Sequence, residues 1–421
     1  MLLQDTRARR IIDFFRAVAI LLVIWFHVIY GMARLLSDER RAALTSEFAG
    51  VLNVAWQALG SELIFLFSGF LVSYILILEY REAGRIAIRP YLWRRAARIL
   101  PLYYVALVFY ALTLQPDWHK ILSSAVFLGY ILHDTNVIPV GWSMEAMVQV
   151  YIVLPVLVAF VMNARRPALR IVVLIVMSVL ARVVFIAFSD DGFEALYSDA
   201  IRTTKFSDAA AELYFMAWFR ATPFLLGLGL AWLVVERAEP VASALERPFI
   251  WIGALALGVL AMALSGWLPV QNADAWIYAQ TGELFWRGYW ALHRLVFAVG
   301  GVLIALVLFY APPFRGPWLL KVLDAGPWRL IAQNIYGIYL FHFLFILIAA
   351  VIVFRSTDEA VLETATIWHV LATFFLAAAL STVAALYLRR WIENPAAKWI
   401  SNRQFAADVA PRGMIRSAKS P

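Results

Sequence analysis

The 421-residue sequence predicts an all-α integral membrane protein of about ten transmembrane helices with both termini cytoplasmic. Three observations carry this. Hydrophobic residues make up 63% of the chain and charged residues only 15%, where a soluble domain has about 25% charged. Apolar runs recur at roughly 20 residues, the length a helix rising about 1.5 Å per residue needs to cross hydrocarbon. Finally, of the 36 Lys and Arg residues, 24 fall in alternate loops and the two ends, 8 in the remaining loops and 4 inside the runs. That asymmetry is the positive-inside bias of membrane topology. A soluble enzyme and a disordered chain are both excluded. The net charge of +8 does not indicate nucleic acid, because the basic residues sit in short clusters between apolar runs. With no cysteine there is no disulfide framework, thiolate nucleophile or Cys-ligated metal.

The runs, bounded by charge or by Pro/Gly turns, fall at 11–31, 56–78, 99–114, 142–162, 171–188, 213–235, 249–268, 290–311, 331–354 and 367–388. Arg7, Arg9 and Arg10 precede the first, which Arg16 interrupts. No small-residue cleavage site follows Met32, so this run reads as a retained helix and not a signal peptide. The second ends before Arg81 and Arg85, and the third begins after Arg94, Arg95 and Arg98. Residues 121–132 are too short to span and read as re-entrant or interfacial. Arg165, Arg166 and Pro167 separate the fourth run from the fifth, and Arg237 through Arg247 separate the sixth from the seventh. Arg315, Lys321 and Arg329 separate the eighth from the ninth, and Arg389-Arg390 end the tenth. Residues 1–395 thus form one membrane domain, and residues 396–421 a cytoplasmic tail.

A charge at the bilayer centre costs at least about 2.5–3.5 kcal/mol, so each one needs a partner, a cavity or a role. Arg16, His27, Glu145, Arg182, Arg220, His293, Arg294 and His342 lie inside runs, and Glu62 lies near the outer end of the second. Arg16 and His27, 11 residues apart, share a helix face about 16 Å apart along the axis. This suits a long anionic ligand with its charge on the guanidinium and its reactive end at the imidazole. Alternatively, Arg16 snorkels to the interface and His27 bonds a neighbouring carbonyl. Glu145 is expected to pair with His27 or with a spanning Arg. Bonded to the imidazole it would fix the tautomer and raise basicity; paired with Arg182 or Arg220 it would only close an ion pair.

At these residues the chain resembles the membrane-bound acyltransferase-3 family over almost its whole length. Phe15-Arg16 through His27 is similar to the family's Arg-x10-His helix, and Gly60 to Leu71 to the segment ending in Ser-Gly-Phe. Arg94 to Pro101 resembles the Arg-x-x-Arg-Ile-x-Pro start of the third helix, and Trp142 to Glu145 the Trp-Ser-x-x-Glu helix. Arg220-x2-Pro223-Phe224-Leu225-Leu226-Gly227, Tyr336 to His342 and Ile392-Glu393-Asn394-Pro395 follow in order. The resemblance implies transfer of an acyl group, often acetyl from acetyl-CoA, to a hydroxyl of a carbohydrate or glycoconjugate outside the bacterial inner membrane. It gives His27 the catalytic role, as general base or acyl carrier, and makes Glu145 a further site residue. Arg16, Arg95 and Arg98 become the donor-binding arginines, acyl-CoA being a co-substrate and not a bound cofactor.

Ser68, Tyr151 and His342 are weaker candidates for lining a substrate cavity; Ser68-Gly69 can equally permit close helix packing. Tyr339, one turn from His342, can line a cavity or bond across helices. The arginines at 94, 95 and 98 also satisfy topology without any ligand. Outer-loop aromatics, Trp118, Trp142, Trp276, Tyr278, Trp286, Tyr289 and Trp290, offer sugar-stacking surfaces or an interfacial belt. The acidic 189–212 loop disfavours a strongly anionic acceptor nearby. No His/carboxylate cluster has metal-ligand spacing, so no metal is expected. The competing reading is a transporter or flippase of a lipid-linked sugar, because buried charges also mark transport pathways.

Overall fold

The computed structural model describes residues 5–33, 37, 40, 59–188, 208–267, 276–356 and 364–399. Among these residues there is no strand, and ten helices are long and apolar enough to cross a membrane. They are α1 (Thr6–Ala33), α2 (Gly60–Ala83), α3 (Ile88–Leu114), α4 (Gly141–Met162) and α5 (Pro167–Phe188). Then come α6 (Ala221–Glu236, after a 3-10 turn at Ala217–Arg220), α7 (Pro248–Trp267), α8 (Trp276–Tyr310, broken at Gly282, its spanning part Arg287–Tyr310), α9 (Ile335–Phe354) and α10 (Ile367–Leu388). Most of the 189–212 loop and all of residues 400–421 lie outside the described residues.

Several helix ends differ from the hydropathy reading, and at two the physical reason is plain. α3 starts at Ile88, 11 residues before the apolar run, because Pro90 is tolerated in a first turn whose N–H groups have no helical partner. Arg94, Arg95 and Arg98 are therefore helical, and the i,i+3 spacing of Arg95 and Arg98 puts both on one face. α10 passes through a π turn at Arg389–Glu393 and stays helical to residue 399. The 121–132 stretch forms two short helices, Trp118–Ala125 and Gly129–His133, neither long enough to span.

α2 is the most enclosed spanning helix, with 78% of its apolar window buried, against 17% for α5 and for α7. It is therefore the central post, and α5 and α7 turn their apolar faces to lipid. Glycine permits its closest contact. A Cβ at Gly69 would lie 2.6 Å from the Phe224 carbonyl oxygen, and one at Gly227 would collide with the backbone of Leu66 and Phe70. The Ser-Gly-Phe and Pro-Phe-Leu-Leu-Gly motifs are thus two sides of one backbone contact, which small residues permit. Phe65 and Phe224 stack beside it with ring centroids 4.8 Å apart.

Gly227→Leu should lower the unfolding midpoint in detergent by several degrees, an overpacking cost of about 1–3 kcal/mol or more. Gly253→Ala, on α7 where a Cβ meets nothing within 4 Å, should leave the midpoint unchanged or raised. Thermal unfolding of both variants checks the contrast.

Candidate active site

A cavity of about 230 Å³ opens between α1, α2, α3, α4 and α9. Arg16, Arg95 and Arg98 supply its cationic wall, and Ser68, Tyr151, Tyr336 and Tyr339 its hydroxyls. Ile64, Leu71, Met144 and Met147 contribute to the apolar remainder. Arg16, Arg95, Arg98, Ser68 and Tyr151, singled out from four separate helices, are thus brought together. Arg16 lies 3.8 Å from Asp13 one turn earlier. Arg95 stands 6.0 Å over the Tyr91 ring, and its buried Nε has no hydrogen-bond partner. Tyr91 in turn donates to the Tyr151 carbonyl at 3.0 Å. A buried cationic donor without an acceptor, beside two further guanidiniums, makes this end of the cavity complementary to an anion.

His27 does not line the cavity. It projects from α1 toward α9, where its Nδ1 lies 3.0 Å from His342 Nε2 and 2.9 Å from the Val23 carbonyl. His342 Nδ1 lies 2.6 Å from the Tyr339 carbonyl. A carbonyl oxygen only accepts, so each Nδ1 carries the proton. His342 Nε2 then accepts from His27 Nδ1–H, and the lone pair of His27 is left on Nε2. His342 is fully buried, while His27 is half-buried. Tyr339 joins cavity to dyad: its side chain lines the cavity and its carbonyl anchors His342. Its hydroxyl meets Ser143 Oγ at 2.5 Å and the Val140 carbonyl at 3.3 Å.

The partner expected for Glu145 is not the one found. Its Oε1 accepts from the Gly129 N–H at 2.8 Å and from Asn136 Nδ2 at 2.5 Å, and its Oε2 from the Tyr130 N–H at 3.1 Å. Neither His27 nor a spanning Arg shares it. Gln149, one turn on along the same face of α4, donates to the Phe127 carbonyl at 3.0 Å. The two side chains clamp the 127–136 segment to the helix. The physical reason is that the first N–H groups of the short helix Gly129–His133 have no partner within that helix, and a carboxylate is their strongest acceptor.

The spanning arginines gather elsewhere. Arg220 and Arg294 both bond Glu62 Oε1, the latter at 2.5 Å, and Arg182 donates to the carbonyls of Trp290 and Phe219. Arg220 packs against a pair of touching rings, Tyr214 at 4.5 Å and Trp142 at 4.8 Å. Trp142 is therefore buried and not an exposed sugar platform. Glu62 was visible in the sequence as a carboxylate near a span end, but its two cations lie 158 and 232 residues away. The link from His342 to His27 crosses 315 residues and was equally invisible, although the isolated imidazole at 342 was the available signal. Asn136 gave no signal at all.

Because Glu145 receives three donors, Glu145→Gln should replace one accepted bond by a donor–donor clash. The expected loss is about 1–3 kcal/mol of stability, read as a lower unfolding midpoint and faster proteolysis in the 127–136 segment. An unchanged midpoint would contradict the clamp.

No curated protein and no solved structure matches this chain. The family model of the acyltransferase domain named Acyltransferase 3 matches residues 9–387, a range that contains the cavity, the histidine pair and the Glu145 clamp. The chain spans the membrane through multiple helices and belongs to the acyltransferase-3 family, whose activity is acyl transfer.

Proposed function

We propose that the protein moves an acyl group, acetyl in the simplest case, from acyl-CoA in the cytoplasm to a hydroxyl of a carbohydrate or glycoconjugate outside the bacterial inner membrane. The observation that carries this reading is the cavity with Arg16, Arg95 and Arg98 at one end and Tyr339, bonded to the His342–His27 pair, at the other. Guanidiniums recognise phosphate oxygens by bidentate, charge-assisted bonds. A thioester carried on a narrow arm is directed between Ser68, Met144, Met147 and Tyr151 toward Tyr339. The loop asymmetry of Lys and Arg supports a topology with the arginine end inside and the His27 end of α1 outside.

Nε2 of His27 is the atom free to act. As general base it takes the acceptor's hydroxyl proton while the oxygen attacks the thioester carbonyl. The C–S bond then breaks, and the imidazolium returns the proton to the leaving thiolate, a contribution typically worth about 10²–10⁴ in rate. As acyl carrier the same nitrogen attacks the thioester carbonyl and the C–S bond breaks to release CoA thiolate; the hydroxyl oxygen then attacks the acyl-imidazolium, the N–C bond breaks, and the hydroxyl proton passes to Nε2 and on to solvent. Both routes need the proton on Nδ1, which His342 and Val23 hold there. His342 is a positioning residue in this scheme, and Glu145 positions α4 and the 127–136 segment.

His27→Ala should abolish acyl transfer with little change in unfolding midpoint. His342→Gln should lower kcat on the order of 10²-fold with KM for acyl-CoA nearly unchanged. Arg95→Ala together with Arg98→Ala should do the opposite, raising KM for the donor more than KM for the acceptor. Acceptor-dependent release of CoA from purified protein is the assay, and it separates this reading from a transporter, which releases none. Full activity in a folded His27→Ala variant would overturn the assignment.

A further inference from the structure

The Arg182, Arg220 and Arg294 cluster has no part in the donor cavity or the histidine pair, and its charges do not balance. Three guanidiniums surround one carboxylate, and Glu62, Arg220, Arg182 and Arg294 are all buried, with Arg294 the least so at 6% exposure. His293 sits beside them, its ring stacked on Tyr289 at 5.1 Å and its Nδ1 bonded to the Tyr289 carbonyl. Both cations that reach Glu62 use the same oxygen. Arg220 Nη2, Arg294 Nε and Trp290 Nε1 remain buried donors without a hydrogen-bond partner, as Glu62 Oε2 is an acceptor without one. A purely structural ion pair needs one cation for one carboxylate. Desolvating further unbalanced charge costs several kcal/mol per ion, so an excess of this size calls for a compensating group.

We propose that this cluster is an anion subsite that receives a single anionic oxygen group, on the acceptor side of the reaction, with Arg220, Arg294 and Trp290 as donors. Its position supports this. Glu62 is in the first turn of α2, Arg220 opens α6 and Trp142 is in the first turn of α4. Trp142, which stacks on Arg220, is the neighbour of Ser143, whose hydroxyl bonds Tyr339. The cluster therefore adjoins the Tyr339 end of the cavity and lies apart from Arg95 and Arg98. Tyr214, in the short helix Asp208–Phe215, packs against both Arg220 and Arg294 and is itself half-buried, so the cluster lies one side chain from the surface on this side. Three guanidiniums against one carboxylate leave a net +2, and one carboxylate or lipid phosphate offsets half of it. The anionic group is either the acid of an acidic sugar or the phosphate of a lipid headgroup. The acceptor assignment rests on the proposed acyl transfer, whereas anion binding does not.

Phospholipid-depleted full-length protein in nonionic detergent, titrated with glucuronate and, at matched ionic strength, with glucose, tests the subsite through unfolding midpoint and tryptophan fluorescence. Glucuronate should give a saturable shift and glucose none. Arg294→Gln should weaken binding about tenfold, the loss of one charged hydrogen bond. Glu62→Gln should strengthen it by a similar factor by removing the competing carboxylate, an outcome that a purely structural ion pair does not produce. Competition by phosphatidylglycerol would assign the anion to a lipid phosphate; indifference to that lipid would assign it to the sugar acid. His27→Ala should bind glucuronate like the wild type, so failure of acyl transfer and failure of the subsite are read separately. No saturable response to glucuronate or phosphatidylglycerol, or undiminished affinity in a folded Arg294→Gln variant, overturns the proposal.

Discussion

The hydrogen bond from His27 Nδ1 to His342 Nε2, 3.0 Å long, is the constraint on which the proposed chemistry depends. An imidazole in an apolar bundle offers either nitrogen, and only the proton's position decides which one can take a proton or an acyl group. Two carbonyls that cannot donate, those of Val23 and Tyr339, place that proton at both rings. α1 and α9 must therefore pack side by side in one register. The glycine contact between α2 and α6 serves the same end, because α2 is the post against which α1, α4 and α6 are set.

Charge is divided between two places. At one end Arg16, Arg95 and Arg98 face a cavity and keep a donor unpartnered; at the other Glu62 is shared between Arg220 and Arg294. They meet through Tyr339, which lines the cavity and bonds Ser143, the neighbour of the Trp142 that packs on Arg220. Glu145 stands outside both groups. Its carboxylate holds an irregular segment against α4, so the most conspicuous acid in the sequence organises the scaffold around the site.

The spans were legible because lipid imposes a length and an apolar composition that short windows reveal. The arginine side of the cavity was legible because positive charge near a span end has few uses. What could not be read were partners set by tertiary contact. Glu145 bonds mainly backbone N–H groups, which carry no residue identity, and His27 finds its partner 315 residues on. The start of α3 was missed because its first turns are charged and hydropathy marks where lipid begins, not where the helix does. The buried cluster was visible only as isolated anomalies, Glu62, Arg182, Arg220 and Arg294, on four different helices.

In the proposed reaction, donor and acceptor approach one histidine from opposite faces of the membrane. Proteoliposomes with the arginine end facing the lumen test it most directly, with acyl-CoA sealed inside and a carbohydrate acceptor outside. Acylated product in the outer compartment and free CoA in the lumen, without leakage of either substrate, are the expected result. Product that forms only when both substrates share one compartment would contradict it.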